Sequence, residues 1–168
     1  FTYWTFNHDG TSWIATDATR LIERKFGTAY DFDTIYTRSD SNYSLVLGTN
    51  ARFGGTLSSD GTKYYVVHNS SSDTYYSAIF MFDMSTPYDP TTLRFTGKIL
   101  NPLVDSFVDY INFVQFKDDG TKVYFGSYWN EYIYAMDLST AWDISTATWN
   151  DEKFSVASQE TAIYDIYF

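Results

Sequence analysis

Three features of the sequence predict an all-β fold made of small repeated sheets. Aromatic residues make up 21% of the 168 residues, and the strand-favouring Tyr and Phe supply 16 and 14 of them. Two short motifs recur three times in the same order, and turn residues follow one another without a helical period between them. A repeat of about 50 residues is typical of propeller blades. We therefore expect three four-stranded antiparallel β-propeller blades plus one extra strand.

The first motif is an Asp-Gly-Thr turn. Its copies are Asp9–Thr11, Asp60–Thr62 and Asp119–Thr121, which begin 51 and 59 residues apart. An apolar residue lies three positions before each Asp: Phe6, Leu57 and Phe116. Because Gly accepts a positive φ and Asp bonds its own backbone, this pattern predicts a hairpin between two strands. We interpret the three Asp residues as hairpin-building residues rather than metal ligands or catalytic carboxylates.

The second motif is predicted to turn the chain from the third strand of a repeat into the fourth. Its copies are Gly27–Asp31, Ser85–Asp89 and Ser139–Asp143. Three positions after each Asp stands a Thr: Thr34, Thr92 and Thr146. We expect the Asp side chains to cap loop amides and the Thr hydroxyls to bond nearby backbone.

The two motifs divide each repeat into four predicted strands. The first strands are Thr2–Phe6, Arg52–Leu57 and Asn112–Phe116. The second strands are Ser12–Thr16, Lys63–His68 and Lys122–Ser127. Within the middle repeat, residues 64–67 are apolar throughout, which indicates a strand covered on both faces.

The third and fourth strands follow in the same order. The third strands are predicted at Arg20–Phe26, Ser77–Met84 and Glu131–Leu138. The fourth strands are predicted at Tyr43–Gly48, Arg94–Leu100 and Lys153–Ala157. The chain is thus one propeller segment, 1–168, with repeats at about 1–50, 51–110 and 111–162. Residues 163–168 repeat the pattern of 111–116 and are predicted to be the first strand of a further repeat.

The third repeat carries the clearest resemblance to a known family. It reads Phe116-x-x-Asp-Gly-Thr-Lys-x-Tyr124, followed by Tyr134-x-x-Asp-Leu-Ser-Thr-x-Trp-Asp-Ile-Ser-Thr146. This pattern resembles the repeat of YVTN/TolB-like β-propellers, a version of which is common in marine bacterial and phage structural proteins. The first repeat departs from it at Ser12, where the other two repeats have Lys. The resemblance implies a propeller fold but is a poor guide to function, because propellers serve many activities.

Charge and composition limit the class of partner. The formal net charge is −10, which opposes binding to nucleic acid and to anionic membrane surfaces. The chain has no cysteine, so disulfides, thiolate metal sites and cysteine nucleophiles are excluded. No apolar run reaches the roughly 18 residues that a membrane-spanning helix needs, so membrane insertion is not expected.

The candidate binding residues lie where the repeats differ. From the first-motif Asp to the second-motif Asp the three repeats count 22, 29 and 24 residues, so the connection between the second and third strands varies. That connection shares one rim of a propeller with the linkers between blades, which here carry Asp105, Phe107 and Asp109. Aromatic rings beside amides and carboxylates suit sugar rings or a protein partner. The predicted binding residues are Tyr75, Tyr76, Tyr128, Trp129, Asn130 and Glu131. The alternative is that these residues are strand ends and blade packing.

Catalytic and metal chemistry find little support in the sequence. The chain has only two histidines, His8 and His68, which the predicted strands place on opposite rims, so a Ser-His-Asp triad and a zinc site are not expected. We expect no catalytic residues, no metal ligands and no cofactor. A calcium ion in an acidic loop is the one alternative, although no Asp-x-Asp-x-Asp-Gly loop is present.

The sequence therefore predicts a non-catalytic binding or structural module rather than an enzyme. The setting we expect is extracellular or a virion, as a phage tail, fibre or capsid-associated component. Its expected partners are glycans, other subunits of an assembly or further blades of the same chain, because propellers have four to eight blades and three do not close a ring. Two alternatives are a propeller-type hydrolase, such as a glycosidase or lactonase with carboxylates around the central funnel, and a bacterial adhesion or surface-layer protein.

Overall fold

The computed structural model describes residues 3–7, 9–16, 20–40, 54–69, 77–102, 110–127, 131–159 and 163–166. These residues form three four-stranded antiparallel sheets, which confirms the all-β prediction. Blade 1 contains β1 (Tyr3–Phe6), β2 (Ser12–Thr16), β3 (Leu21–Phe26) and β4 (Ile35–Asp40). Blade 2 contains β5 (Gly55–Leu57), β6 (Lys63–Asn69), β7 (Ser77–Met84) and β8 (Leu93–Leu100). Blade 3 contains β9 (Ile111–Phe116), β10 (Lys122–Ser127), β11 (Tyr132–Leu138) and β12 (Ala147–Ser155).

Each sheet is a meander in which strands pair in chain order. The first strands, β1, β5 and β9, lie side by side at the centre, as the inner strands of propeller blades do. A single 3₁₀ turn precedes the last strand of each blade, at Phe32–Thr34, Pro90–Thr92 and Ile144–Thr146. Within the described residues the three blades do not close a ring.

The core lies between blades, and β6 shows how alternation builds it. Tyr64 and Val66 join blade 1 side chains in one buried cluster, whereas Tyr65 and Val67 join blade 3 side chains in the other. Since successive residues of a strand point to opposite faces, an unbroken apolar strand can fill two interfaces at once. The prediction that residues 64–67 are covered on both faces is thus confirmed.

Each blade therefore has two distinct faces. We call the face toward the preceding blade the front face and the face toward the following blade the back face. The blade 2 back face (Tyr65, Val67, Ile79, Met81, Leu100) packs on the blade 3 front face (Phe116, Leu138, Trp142, Ile144, Ala147). The blade 1 back face, through Ile14 and Leu21, packs in the same way on the blade 2 front face.

The fourth strand was predicted wrongly in two repeats. In blade 1 the strand that pairs with β3 is Ile35–Asp40, while the predicted Tyr43–Gly48 lies outside the described residues. In blade 3 the fourth strand begins at Ala147, six residues before the predicted start at Lys153. The reason is local: the 3₁₀ turn after the second-motif Asp leads directly into the strand, so no loop separates them.

In the described part of the chain, no helix is long and apolar enough to cross a membrane.

Candidate functional site

Both repeated motifs meet on one rim, which we call the lower rim, and there they bind each other. The aromatic residue of the second motif donates its backbone N–H to the glycine carbonyl of the first: Tyr30 to Gly10 at 2.9 Å, Tyr88 to Gly61 at 2.9 Å and Trp142 to Gly120 at 2.8 Å. Its ring lies over that glycine, so closely that a Cβ on any of the three glycines would fall 2.3–2.4 Å from a ring atom. This contact explains why the two motifs recur together, and the sequence alone did not reveal it.

The repeated carboxylates are also engaged in turns. In the first motif, Oδ1 of Asp9, Asp60 and Asp119 accepts the N–H of the Thr two residues later at 2.9 Å in each case. In the second motif, Oδ1 of Asp31, Asp89 and Asp143 accepts the N–H two residues on, at 3.1, 2.9 and 3.0 Å. The prediction that these Asp side chains bond the backbone of their own turns is confirmed. Hydrogen bonds from Lys117 and from Thr121 hold the pKa of Asp119 well below its ordinary value, so it stays ionised in its turn.

The opposite rim, which we call the upper rim, is where the sequence places the binding residues. Five of the six, Tyr75, Tyr76, Tyr128, Trp129 and Asn130, lie outside the described residues, as do Asp105, Phe107 and Asp109. The sixth, Glu131, is described and half-buried, immediately before β11. The structure therefore places one of the predicted residues on this rim.

Glu131 has an unusual backbone conformation. Its φ is 52°, in the left-handed region, and its carbonyl accepts the N–H of Val156 at 2.8 Å. Tyr30, Tyr88 and Trp142 also have positive φ, but they occupy equivalent positions in the three blades and belong to the lower-rim turns. Asp151 has a φ of 59° and corresponds to Gly97 of blade 2, whose φ is 79°. In the described residues, Glu131 has no such counterpart, since Ser77 of blade 2 takes its place without a positive φ. A non-glycine residue held in this region costs of order 1–3 kcal/mol, and such residues concentrate at functional sites.

A buried polar network anchors the upper rim between blades 2 and 3. The Asn69 side chain donates through Nδ2 to the Ile111 carbonyl at 2.7 Å and accepts the Ile111 N–H at 3.1 Å through Oδ1. Ser77 donates through Oγ to the same Asn69 oxygen at 2.6 Å. These contacts join the end of β6 to the start of the next blade and so fix the base from which the connection 70–76 departs. The anchoring role of Asn69 at the end of β6 was not predicted from the sequence.

At the hub, polar side chains of neighbouring inner strands form a ladder. Thr56 on β5 donates through Oγ1 to Gln115 on β9 at 2.9 Å. Gln115 in turn hydrogen-bonds the carboxylate of Asp165, and Asn112 Nδ2 donates to the Ile163 carbonyl at 2.8 Å. Residues 163–166 thus lie beside β9 as β9 lies beside β5. Partial desolvation there raises the pKa of Asp165 above its ordinary value.

One carboxylate is buried between blades. Glu23 on β3 is 5% exposed and occupies the position that Met81 has on β7. Burial raises the pKa of Glu23, Lys25 at 3.7 Å opposes the rise, and the nearby charge of Asp89 adds to it. The Lys63–Asp83 and Lys122–Asp137 pairs of the other blades correspond to Ser12 and Lys25 here. Ser12 stands where the other two repeats have Lys, and this difference is the feature of the sequence that could have indicated the site.

Among the described residues, no group of three or more His, Asp or Glu side chains could hold a metal ion. His68 lies at the upper end of β6, buried, with its ring edge-on to Phe80 at 5.3 Å. His8 lies outside the described residues.

Comparison with known proteins supports the fold and does not show a function. No protein-family model matches the sequence. No curated protein matches it either. A solved structure of a putative 6-phosphogluconolactonase from Bacteroides fragilis superposes with a TM-score of 0.57 at 13% identity, over 92% of this chain and 38% of that one. A functionally unknown protein from Desulfotomaculum acetoxidans superposes with a TM-score of 0.56 at 13% identity, over 90% and 41% of the two chains. Both have propeller-like folds.

The likeness supports the predicted propeller fold, and it carries nothing specific to YVTN/TolB-like repeats. This chain spans about two fifths of the length of the solved structures it matches. The prediction that the chain is not an enzyme is corrected by the same comparison, because a protein with this fold is described as a putative 6-phosphogluconolactonase. The prediction rested on the missing triad, the missing zinc-ligand spacing and the lack of any carboxylate pair that the sequence singled out, whereas one fold hosts many activities and the fold alone does not exclude an enzyme.

Proposed function

We propose that this chain is a β-propeller segment whose upper rim binds a neutral glycan. The ligand contacts assigned to it are the aromatic rings of Tyr75, Tyr76, Tyr128 and Trp129, with Asn130 and Glu131 as polar partners. Aromatic faces pack on the apolar faces of sugar rings, and amides and carboxylates accept or donate to the hydroxyls. The net charge of −10 favours an uncharged ligand over an anionic one.

The observation that carries the proposal is the contrast between the two rims. On the lower rim, the repeated Asp, Gly and aromatic residues are engaged in one another's turns. On the upper rim, the blades differ, and Glu131 is held with a φ of 52° that has no equivalent in blade 2. Strain at a position that blade 2 does not share supports a role other than blade building.

A glycan array followed by titration of the best ligand tests this proposal. We expect binding of a neutral glycan and a loss of affinity of about tenfold in Trp129→Ala, equal to roughly 1.4 kcal/mol. The matched control is Tyr36→Ala, which removes a 67% exposed ring at the start of β4, away from the upper rim. Array binding that survives Trp129→Ala and Tyr128→Ala together would place the ligand elsewhere. Binding of a protein but no glycan would contradict the ligand class.

A second candidate function is hydrolysis of a sugar lactone. It is favoured by the description of the Bacteroides protein and by the raised pKa of Asp165 at the hub. In this reaction water adds to the ester carbonyl while Asp165 accepts a proton from that water, and the ring C–O bond then breaks as Asp165 returns the proton to the departing ring oxygen. It ranks second because a phosphorylated lactone is an anion and the chain is strongly acidic.

A direct assay decides the second candidate. We expect the chain to open 6-phosphogluconolactone faster than the spontaneous reaction, and Asp165→Asn to return the rate to the spontaneous value. A wild-type rate equal to the spontaneous one would remove this candidate while leaving glycan binding untouched. An extracellular or virion setting remains our proposal for either function, on the repeat resemblance alone.

A further inference from the structure

The lower ends of β6, β7 and β8 form an open cavity on blade 2. It has a volume of about 470 Å³ and is lined by residues of all three strands and of the turns beside them. Lys63 lies opposite Asp83, and Asp83 lies opposite Arg94, so the three side chains follow one another across one face of the sheet. Ligand sites in proteins have volumes of about 300–1,000 Å³, so the cavity is large enough for a small organic molecule.

The cavity carries a positive charge, although the whole chain carries −10. The Lys63 ammonium pairs with the Asp83 carboxylate at 3.0 Å. The Arg94 guanidinium donates through Nη1 to the Leu93 carbonyl at 2.6 Å, and among the described residues it forms no ion pair. A guanidinium has five N–H groups, so most of those on Arg94 can reach a ligand. The charged side chains that line the cavity are thus two cations and one carboxylate.

This positive charge is not shared by blade 3. There the lysine at the same position, Lys122, contacts two carboxylates, Asp137 at 3.0 Å and Glu152. The residue opposite Asp137 on the last strand is Thr148, where blade 2 has its arginine. The corresponding cluster of blade 3 therefore has one cation and two carboxylates. Because a blade of the same design folds without the arginine, blade building does not explain it.

Hydroxyl groups beside the two cations complete the lining of the cavity. The Thr62 hydroxyl donates to the Asp60 carboxylate at 2.8 Å. In the same way, the Thr91 hydroxyl donates to the Asp89 carboxylate at 2.7 Å. The two carboxylates are held in their own turns, whereas the threonine oxygens keep lone pairs that can accept hydrogen bonds from a ligand. Ser85 adds a hydroxyl that can donate or accept.

We propose that this cavity binds a small hydroxylated carboxylic acid, such as a sugar acid. The planar guanidinium of Arg94 matches the two oxygens of a carboxylate in a bidentate pair, and hydroxyls of the ligand donate to the threonine oxygens. A carboxylate also fits the charge, because its one negative charge balances the one positive charge of the lining. A phosphate monoester carries roughly −1.5 to −2 at pH 7 and would leave the cavity negative in an acidic chain.

Titration of galacturonate into the whole chain, followed by ¹H–¹⁵N NMR, tests the site. We expect saturable shifts of the Arg94 side-chain Nε–H and of the Ser85 amide. Galactose has a neutral hydroxymethyl group in place of the carboxylate, and we expect it to bind about tenfold more weakly or worse. Inorganic phosphate is likewise expected to bind more weakly than galacturonate.

Substitution of the arginine tests which side chain recognises the carboxylate. Arg94→Gln is expected to weaken galacturonate binding about tenfold or more, because it removes the cation and the bidentate pair. Lys153→Gln is the matched control, since it also removes one exposed cation from the last strand of a blade, and should leave the affinity unchanged. Trp129→Ala should leave it unchanged too, so that failure of this site and failure of glycan binding on the upper rim are told apart.

Three results would overturn the proposal. Galacturonate could leave the Arg94 and Ser85 signals unshifted, galactose could bind as tightly as galacturonate, or the Arg94→Gln variant could bind like the wild type. Phosphate that binds more tightly than galacturonate would contradict the class of ligand. Arg94 is exposed, so we expect the variant to fold, which circular dichroism checks. If it does not fold, the comparison of the three ligands on the wild type still decides the proposal.

Discussion

At the scale of single residues, Glu23 shows how one departure from a repeat changes an interface. Its carboxylate is buried where blade 2 has Met81, and its neighbours are Ser12, Lys25 and Asp89. Because burial raises its pKa, the folded state holds the proton more tightly than the unfolded chain does. The charged form therefore lowers stability at neutral pH, and this penalty disappears as pH falls below the pKa of the unfolded chain.

Replacing Glu23 by Gln is expected to raise the free energy of unfolding at pH 7. The difference from wild type should shrink as pH falls through the raised pKa and vanish below about pH 4, where Glu23 is protonated in both states. Urea unfolding at several pH values measures it. Asp118→Asn is the control, because it removes one negative charge from an exposed turn. A wild type and E23Q that differ equally at pH 4 and pH 7 would contradict the buried-charge explanation.

At the scale of elements, the lower-rim turns act as paired units. The Asp-Gly-Thr hairpin supplies a glycine with φ near 70°, and the second motif places an aromatic ring over it with its own φ near 60°. The Asp caps and Thr hydroxyls complete the turns, as Thr146 does by donating to the Asp143 carbonyl at 2.8 Å. Neither motif is complete without the other, and this explains why both recur in every repeat.

Two glycine substitutions separate backbone strain from this ring contact. Gly120→Ala is expected to lower the free energy of unfolding by roughly 3 kcal/mol, because its Cβ combines a φ of 70° with overlap of the Trp142 ring. Gly97→Ala is the control, with a φ of 79° and open space around the Cβ, and should cost about 1 kcal/mol. Denaturant unfolding measures both. Equal losses would show that the ring over Gly120 contributes nothing beyond the backbone strain.

At the scale of the whole molecule, stability resides between blades. Only two buried clusters were found in the described residues, and each joins two blades. Two polar contacts also cross the interface between blades 2 and 3. The Tyr65 hydroxyl donates to the Trp142 carbonyl, and Lys98 pairs with Asp143 at 2.7 Å. None of the described blades covers the front face of blade 1, where Tyr30 and Phe32 are 58% and 55% exposed.

Much of the fold followed from the sequence, and little of the site did. The hairpin turns, the capping Asp residues and most strands were predicted correctly, because each depends on a few neighbouring residues. The fourth strands of blades 1 and 3 were misplaced, because their start depends on a 3₁₀ turn whose sequence resembles a loop. Asn69 was missed because its partner Ile111 is distant in sequence, and Glu23 was missed because its burial depends on the packing of blade 1 on blade 2.

The sequence by itself determined the repeat, the number of strands in each blade and the residues that build the turns. These depend on local backbone preferences and on the alternation of side chains along a strand, and both can be predicted from the order of residues. Tertiary structure decided which face of each blade is covered, where a carboxylate is buried and which position carries a left-handed φ. Those properties arise from contacts between segments about 40 to 80 residues apart, such as Asn69 with Ile111 and Tyr65 with Trp142, and no local pattern specifies them.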